Sequence, residues 1–334
     1  MAAADPVRWG ILGAAGIAES SFLPALAEAR DGSAVVVGAR DARRAERWAD
    51  EHGVDHAVEG YAAVLDDPAI EAVYIPLPNS LHAEWTIAAL EAGKAVLCEK
   101  PLCGTAEQTE EVLAAAAVPG RLLWEAFVFP FHEQMRRVRS LISDGSIGVV
   151  REIWSRFHFM LDDPGDIRMS AKLAGGASQD VGCYSIRLAR LLFDAEPDLS
   201  RVASGAVWQD GVDVELWGVL PFDDDRRLQF SCGFRSADDT YARVIGATGE
   251  IRMTHPFHPE PGDTLELVAE GRVVSREPAA PSGEHSFTPA IRHIHRVVRG
   301  SEDPMHLAVD EALGNARAIA ALVDAAAARA EQRA

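Results

Sequence analysis

Apolar and polar positions in the first part of the chain follow two alternating patterns. Short apolar runs occupy residues 7–12, 33–37, 72–75, 95–98 and 122–125. The stretches between them carry apolar residues at helical spacing, beginning with residues 17–29. Asp41 and Thr105 are predicted helix N-caps, and Gly53 and Gly93 are predicted helix ends. This alternation predicts an α/β domain built on a doubly wound parallel sheet.

The pattern changes near Val149, where an alternation with a period of two takes over. Leu228, Phe230 and Cys232 would lie on one face of a strand, and Gln229 on the other. Similar runs are residues 152–159, 214–220, 241–245 and 265–268. Successive strands without helices between them predict a large, mostly antiparallel sheet with one open face.

Three helices are expected to accompany this second sheet. One runs from about Asp180 to Leu192, and two lie near the C-terminus, at residues 287–298 and 308–328. We therefore predict two domains, a dinucleotide-binding domain at residues 1–127 and an α+β domain at residues 128–334. The first C-terminal helix is expected to pack back on the first domain.

Composition is consistent with two packed cores and with a cytoplasmic location. The chain has 334 residues, of which 48% are hydrophobic. The four cysteines show no CxxC spacing and are predicted to be reduced thiols. No apolar stretch approaches the length of about 20 residues that a membrane-spanning helix needs. Residues 1–6 lack the basic and apolar parts of a signal peptide.

The formal charge of −19 excludes some partners. It repels phosphate backbones and anionic lipids, so neither nucleic acid nor a membrane is expected to bind. An anionic cofactor remains compatible, because backbone N–H groups and individual arginines hold phosphates locally. The pairs His255/His258 and His293/His295 lack a third ligand at a metal-binding spacing, so no metal site is predicted.

A small-residue turn directly follows the first predicted strand. Gly13 starts this turn, Ala15 and Ala18 stand where the G-x-G-x-x-G pattern has its other glycines, and Gly16 lies between them. Small residues still let the backbone approach a pyrophosphate at the start of a helix. Gly13, Ala15, Gly16 and Ile17 are therefore candidate cofactor-binding residues.

The end of the second strand bears on the choice of cofactor. Sites for NAD usually have an acidic residue there, which binds the ribose 2′-hydroxyl, whereas arginine suits a 2′-phosphate. Here Ala39 stands at the expected acidic position, followed by Arg40, with Arg44 nearby. NADP is predicted in preference to NAD, although Asp41 would serve NAD if the register differs by one or two residues.

Lys100 is the leading candidate for chemistry in the first domain. It follows the strand that ends at Cys98, and in open α/β sheets ligands bind at the carboxyl ends of the strands. Pro101 restricts the backbone just after it. The alternative is an ordinary surface lysine.

In the second domain, the candidate residues follow a Gly175-Gly176 pair. Asp180 and Tyr184 are four residues apart and would share one face of a helix. A tyrosine near a cationic lysine is a plausible proton donor or acceptor, because the positive charge favours the phenolate. The alternatives are a helix cap for Asp180 and a core position for Tyr184.

These motifs, in this order, resemble the Gfo/Idh/MocA family of oxidoreductases along essentially the whole chain. The motifs that carry the resemblance are the glycine turn, Pro76-Leu77-Pro78-Asn79 with His82, Glu99-Lys100-Pro101, Glu125-Ala126-Phe127 and residues 175–184. Tyrosine at position 184 resembles the branch that contains glucose–fructose oxidoreductase, xylose dehydrogenase and dihydrodiol dehydrogenase. The resemblance implies a Rossmann-type first domain and a second domain with a large open sheet.

The resemblance also implies roles for particular residues. Lys100 and Tyr184 would be a catalytic pair, with Asp180 binding or orienting the substrate. Residues that would line the nicotinamide side are Pro76, Leu77, Asn79, His82 and Glu99. Arg168 and Phe127 would belong to the substrate pocket, although a surface salt bridge is an alternative for Arg168. Relatives commonly have an arginine where this chain has Pro130, so His132 or Glu133 is a candidate replacement.

The resulting prediction is an NADP-dependent oxidoreductase that moves a hydride between the nicotinamide and a carbinol carbon of a sugar or cyclic polyol. An alternative is reduction of a nucleotide-linked keto sugar, with Arg168 near the diphosphate. A non-enzymatic alternative is an NADP-binding sensor. An open sheet face that is exposed to solvent marks an interaction surface, so we expect a homodimer or homotetramer that forms through the second sheet.

Overall fold

The computed structural model describes residues 5–223 and 225–332. Part of the segment in which no signal peptide was expected, residues 1–4, lies outside this description. The chain divides into two compact units: Met1–Val128 with Glu284–Leu313, and Phe129–Gly283 with Gly314–Ala334. No helix in the described part of the chain is both long and apolar enough to cross a membrane.

The first unit contains a fully parallel sheet of six strands in the order β3-β2-β1-β4-β5-β6. The strands are β1 (Val7–Leu12), β2 (Gly32–Ala39), β3 (His56–Glu59), β4 (Ala72–Ile75), β5 (Ala95–Cys98) and β6 (Leu123–Glu125). The order reverses between β1 and β4, so the carboxyl ends of these strands form the switch point at which such sheets bind ligands. The predicted doubly wound sheet is confirmed.

The helices of this unit follow the predicted start and end signals in part. They are α1 (Leu23–Ala29), α2 (Ala42–His52), α3 (Ala62–Leu65), α4 (Asn79–Glu91), α5 (Ala106–Ala116) and α8 (Thr288–Val298). Asp41 and Thr105 accept hydrogen bonds from Arg44 N and Gln108 N, as N-caps do. Gly53 ends α2 with a φ of 68°. Helix α4 begins at Asn79, three residues earlier than about His82, the predicted start.

The second unit contains a sheet of eight strands in the order β14-β13-β12-β11-β7-β10-β9-β8, antiparallel except for the β7–β10 pair. The strands are β7 (Val150–Met160), β8 (Ala203–Gln209), β9 (Val212–Pro221), β10 (Arg227–Gly233), β11 (Arg235–Gly246), β12 (Gly249–Met253), β13 (Thr264–Ala269) and β14 (Arg272–Pro278). Leu228, Phe230 and Cys232 are buried, as their alternation predicted. The mostly antiparallel sheet is confirmed.

Helices α6 (Glu133–Ser143), α7 (Cys183–Phe193) and α9 (Ala308–Glu331) complete the fold. Helix α7 packs on β7 and β10, and Ser155 and Ser185 are hydrogen-bonded at 2.8 Å between their hydroxyl oxygens. Ser204 of β8 donates to the carbonyl oxygen of Leu322 on α9 at 2.5 Å. Trp154 and Trp217 of the same sheet are 36% and 47% exposed.

None of the four cysteines forms a disulfide, and all are buried, Cys98 and Cys103 in the first unit and Cys183 and Cys232 in the second. Burial raises the pKa of the Cys103 thiol to about 12 and raises the pKa values of the Cys98 and Cys232 thiols well above their usual range. Their thiols therefore remain protonated at neutral pH.

Candidate active site

The turn after β1 is closely packed against its neighbours at the switch point. Gly13 has a φ of 117°, and its N–H donates to Gly38 O at 2.8 Å, which links the turn to the end of β2. A Cβ at Gly13 would approach Leu77 Cδ2 to 3.0 Å, so glycine suits both the backbone conformation and the space. A Cβ at Gly16 would contact nothing within 4 Å. The backbone at Gly16 is therefore unobstructed on its Cβ side, at the start of the helical residues that follow Ile17.

Two arginines stand beside this turn. Arg44 Nη2 donates to Ala14 O at 2.9 Å, and Arg40 is exposed at the end of β2. Asp41 Oδ1 accepts from Arg44 N at 2.7 Å, so this carboxylate caps α2. Ala39 is buried at the position where an acidic residue would bind a ribose hydroxyl. Positive charge therefore dominates the place where the 2′-substituent is expected.

His82 connects the two loops beside the switch point. Its Nε2 lies 2.7 Å from Leu77 O and its Nδ1 lies 2.9 Å from Pro101 O. The ring is fully buried, and burial lowers the pKa of His82, with the charge of Lys100 lowering it further against the opposing effect of the carbonyls. His82 thus holds the Pro76–Asn79 loop against the segment after Lys100. Its predicted contact with the cofactor stays a prediction.

Buried carboxylates hold the backbone on both sides of Lys100. Glu99 Oε1 accepts from the Tyr74 hydroxyl at 2.6 Å, and Glu99 Oε2 accepts from Lys100 N at 3.3 Å. Glu125 Oε1 accepts from Leu102 N at 2.8 Å. The structure thus brings Glu99 and Lys100 to the edge of the sheet where β4, β5 and β6 end. Phe127 follows β6 in the same unit and is buried.

In the second unit, Gly175 and Gly176 let the backbone pack closely against Arg168 and Asp213. A Cβ at Gly175 would lie 2.3 Å from Arg168 O, and one at Gly176, which has a φ of 120°, would lie 2.4 Å from Asp213 Oδ1. Asp213 accepts from Ser178 N at 2.7 Å and from the Ser178 hydroxyl at 3.0 Å. Burial raises the pKa of Asp213 to about 6, although the bonds from Ser178 oppose this. Asp213, which the sequence did not indicate, fixes the start of the helical segment.

The helical segment itself differs from the prediction. Residues Ser178–Gly182 form a π-helical turn, and α7 begins only at Cys183. The helical segment thus starts two residues before Asp180, close to the predicted start of the single helix, but its first turn is π rather than α. The extra residue of such a turn widens the helix locally, and five residues are too few for the apolar spacing to distinguish it from an α turn. Asp180 lies in the π turn and Tyr184 in the first turn of α7.

Asp180 and Arg168, both predicted substrate residues, form an ion pair. Arg168 Nε donates to Asp180 Oδ2 at 2.8 Å, and Arg168 Nη1 lies 3.3 Å from both carboxylate oxygens of Asp166. Burial lowers the pKa of Arg168, but the two carboxylates outweigh burial and raise that pKa above its ordinary value. The three side chains together carry one negative charge. They present both hydrogen-bond donors and acceptors, which suits the hydroxyl groups of a polyol.

The Tyr184 side chain is only 5% exposed and stands among aromatic rings. Its ring centroid is 5.0 Å from that of Phe257 and 5.5 Å from that of Phe157. Its hydroxyl lies 3.1 Å from His258 Nε2. The sequence singled out His258 only as an unsuitable metal ligand, and the described residues contain no group of three or more side chains fit to hold a metal ion.

The segment where relatives commonly have an arginine forms a tight turn. Phe129–Phe131 is a 3₁₀ turn in which Pro130 is buried, and His132 is the buried N-cap residue of α6. Glu133 Oε2 accepts from Ser282 N at 3.3 Å. A role for His132 or Glu133 in place of the missing arginine stays a prediction.

Comparison with known proteins places these features in one family. Residues 7–127 match GFO_IDH_MocA, an oxidoreductase family with an NAD-binding Rossmann fold, and residues 135–252 match the GFO/IDH/MocA C-terminal domain. The chain is 38% identical over 272 residues to D-xylose 1-dehydrogenase (NADP(+)) 2 of Haloferax volcanii, covering 80% of this chain and 83% of that protein.

Solved structures show the same fold throughout the chain. A 3-ketoreductase from Actinomadura kijaniata in complex with NADP and TDP-benzene superposes with a TM-score of 0.87 at 31% identity, covering 96% of this chain and 98% of that one. Aldose-aldose oxidoreductase from Caulobacter crescentus has a TM-score of 0.87 at 26% identity, with coverages of 97% and 98%. The chain therefore belongs to the GFO/IDH/MocA family of oxidoreductases.

Proposed function

We propose that this protein is an NADP-dependent oxidoreductase acting on a carbinol or carbonyl carbon of a sugar or cyclic polyol. The observation that carries the proposal is the geometry at the switch point, where the Gly13 turn, the Pro76–Asn79 loop and Lys100 follow adjacent strand ends of one parallel sheet. A cofactor held there lies beside the lysine. The xylose dehydrogenase and aldose-aldose oxidoreductase relatives support a sugar as the substrate class.

The residues around the glycine turn fit NADP. The N–H groups of Gly13 and Ala15 donate within the turn and to Gly38 O, so the backbone N–H groups of Gly16 and Ile17 would hold the pyrophosphate, with the small Gly13 and Ala15 leaving room for it. Arg40 with Arg44 would hold the 2′-phosphate. When bound, the nicotinamide supplies or accepts the hydride. Arg40→Ala should weaken NADP binding at least about tenfold, or about 1.4 kcal/mol, and leave NAD binding within about twofold. Nicotinamide fluorescence titrations test this, with Arg47→Ala, farther along α2, as the matched control.

Lys100 and Tyr184 would handle the proton that accompanies the hydride. An unperturbed phenol titrates near about 10, and an ammonium group beside it favours the phenolate. In this proposal, Lys100 polarises the reacting oxygen and Tyr184 exchanges a proton with it through its hydroxyl. Asp180, positioned by Arg168, would accept a hydrogen bond from a neighbouring substrate hydroxyl. Lys100 and Tyr184 belong to different units, so their pairing is itself part of the proposal.

The charges around Arg168 favour a free sugar or polyol over a nucleotide-linked one. A diphosphate would meet Asp166 and Asp180 together with the arginine, whereas neutral hydroxyls can bridge an arginine and its carboxylates. The second candidate, reduction of a nucleotide-linked keto sugar, is supported by the likeness to the 3-ketoreductase bound to TDP-benzene.

The first experiment measures NADP(H) binding and then turnover with aldoses, inositols, free keto sugars and a dTDP-linked keto sugar. Turnover of a free sugar or polyol supports the first candidate, and turnover of the dTDP-sugar alone supports the second. Tight binding without turnover of any of these compounds favours the sensor. Lys100→Ala with unchanged turnover would contradict the proposed chemistry.

We also propose a homodimer or homotetramer formed through the eight-stranded sheet. Trp154, Trp208 and Trp217 are 36%, 39% and 47% exposed, which is unusual for such large apolar side chains. Light scattering on the purified protein measures the oligomer. A monomer at micromolar concentration would refute this proposal without affecting the proposed activity.

A further inference from the structure

The contact between Tyr184 and His258 joins elements that are far apart in sequence. The Tyr184 hydroxyl and His258 Nε2 are 3.1 Å apart, although 74 positions separate the residues. Their rings meet edge to face, with centroids 5.5 Å apart and an interplanar angle of 76°. This geometry places an imidazole nitrogen, rather than a ring carbon, against the phenolic oxygen. The contact is therefore a hydrogen bond between two groups that can both carry a proton.

His258 lies in residues 254–263, the segment between β12 and β13. Hydrogen bonds to Asp263 join the two ends of this segment. Asp263 Oδ1 accepts from the Thr254 hydroxyl at 3.1 Å and from His255 Nδ1 at 2.8 Å. Asp263 Oδ2 accepts from Glu260 N at 2.6 Å. Two prolines flank the middle of the segment, Pro256 and Pro259, and both are buried. These bonds and rings limit the positions that the His258 backbone can take.

Phe257 anchors His258 next to the tyrosine. Its fully buried ring stacks on Phe157 at 5.6 Å and meets Phe129 edge to face at 5.5 Å. The Phe257 ring also contacts that of Tyr184 at 5.0 Å. Because Phe257 and His258 are adjacent, the packing that fixes the tyrosine ring also fixes the imidazole.

We propose that His258 positions the Tyr184 hydroxyl and carries its proton to and from solvent. His258 is partly exposed, whereas Tyr184 is buried, so the imidazole is the more accessible of the two groups. An imidazole ordinarily titrates near about 6.5, which allows it to take up and release protons near neutral pH. The proton relay rests on the proposed function, whereas the hydrogen bond between Tyr184 and His258 rests on the geometry alone.

Reduction of the carbonyl group consumes one hydride and one proton. The hydride would come from the reduced nicotinamide and go to the carbonyl carbon, and the Tyr184 O–H bond would break as its proton goes to the carbonyl oxygen, which yields the alcohol. The resulting phenolate regains a proton from Nε2–H of the His258 imidazolium. The neutral imidazole then takes a proton from water or buffer, and alcohol oxidation follows the same path in reverse.

Other charged groups lie on the elements packed around this pair. Asp180, with its partner Arg168, is on the helical side, and the loop contributes His255, Asp263 and Glu260. The strand and turn that face Tyr184 contribute the aromatic rings of Phe157 and Phe129. Since His255 is bonded to Asp263 and exposed, it provides a matched control within the same loop.

The first test needs no substrate. Phenolate absorbance of the full-length protein is titrated with pH, and the Tyr184 contribution is the difference between the wild type and Tyr184→Phe. We expect His258→Ala to shift the Tyr184 titration by about one pH unit or more, and His255→Asn, which keeps a donor towards Asp263, to leave it unchanged. An unchanged Tyr184 titration in folded His258→Ala would overturn the proposed hydrogen bond. His258→Leu, which is apolar and cannot form the hydrogen bond, provides the same test if the alanine variant does not fold.

The second test concerns the proton path and uses a sugar that the wild type turns over. His258→Gln keeps a polar atom near the position of Nε2 but cannot relay a proton, so kcat should fall about tenfold or more with KM within about twofold. Added imidazole should restore turnover in His258→Ala but not accelerate His255→Asn. Wild-type kcat in His258→Gln would overturn the relay. Failure of the wild type to turn over any substrate would contradict the proposed function, and the titration would still decide the contact.

Discussion

Asp213 should make the stability of the second unit depend on pH in an unusual direction. Its carboxylate is 4% exposed and accepts two hydrogen bonds from Ser178, and burial raises its pKa from 3.8 to about 6. A carboxyl group whose pKa is higher in the folded state binds protons more tightly there. Its contribution to stability is therefore greatest below about pH 4 and is lost as the pH rises through about 6.

The size of this effect follows from the difference between the two pKa values. A pKa that is higher by about 2 in the folded state corresponds to about 3 kcal/mol of unfolding free energy. About 2 kcal/mol of this contribution is lost as the pH rises from 4.5 to 7.5. Other carboxyl groups, such as Glu28 and Glu71, have lowered pKa values and change stability in the opposite direction. The informative quantity is therefore the difference in unfolding free energy between the wild type and Asp213→Asn at each pH.

The assay is urea unfolding of both proteins, followed by tryptophan fluorescence and circular dichroism, at several values of pH. Relative to the wild type, Asp213→Asn should gain about 2 kcal/mol of stability between pH 4.5 and pH 7.5. A constant offset from rearranged bonds to Ser178 cancels in this comparison. The exposed Asp162→Asn is the control and should show no such gain. A difference that stays constant with pH would refute the raised pKa of Asp213.

Further predictions concern the close packing at Gly176, the Asp180–Arg168 ion pair and the contacts of His82. Gly176→Ala should destabilise the protein by about 2–4 kcal/mol in urea unfolding, because its Cβ would meet Asp213 Oδ1 at 2.4 Å, whereas Gly16→Ala should cost less than about 1 kcal/mol. Asp180→Asn should raise KM for a sugar substrate at least about tenfold and leave NADP binding within about twofold, as fluorescence titration measures. His82→Leu should lower NADP affinity and thermal stability together, because it removes the contacts to Leu77 O and Pro101 O; unchanged affinity in the folded variant would contradict this role.

Local signals in the sequence predicted most of the first unit. Asp41 and Thr105 cap the helices that they were expected to cap, and the apolar runs became strands within a residue or two at most boundaries. Strand β3 escaped notice because only two of its four residues are apolar, whereas the equally short β4 and β5 are apolar throughout. Helix α6 was also missed, although Met135, Val138 and Leu141 are buried at helical spacing between its arginines. That spacing was a usable signal.

The candidate site was predicted as a set of residues but not as a set of contacts. The sequence indicated Lys100, Asp180 and Tyr184 from their positions after a strand or at the start of a helix. It did not indicate Asp213 or the role of His258, because each contact joins segments that are 35 or 74 positions apart. The partner of a buried polar group depends on tertiary packing, which no local pattern encodes.

Because each unit contains two buried cysteines, thiol labelling can show which unit unfolds first. Each unit holds two buried thiols, so an alkylating reagent reaches them only after that unit opens. Pulsed alkylation in rising urea, read by peptide mass spectrometry, would report on Cys98 and Cys103 separately from Cys183 and Cys232. The order in which the two units lose their structure can thus be measured without introducing any label or mutation.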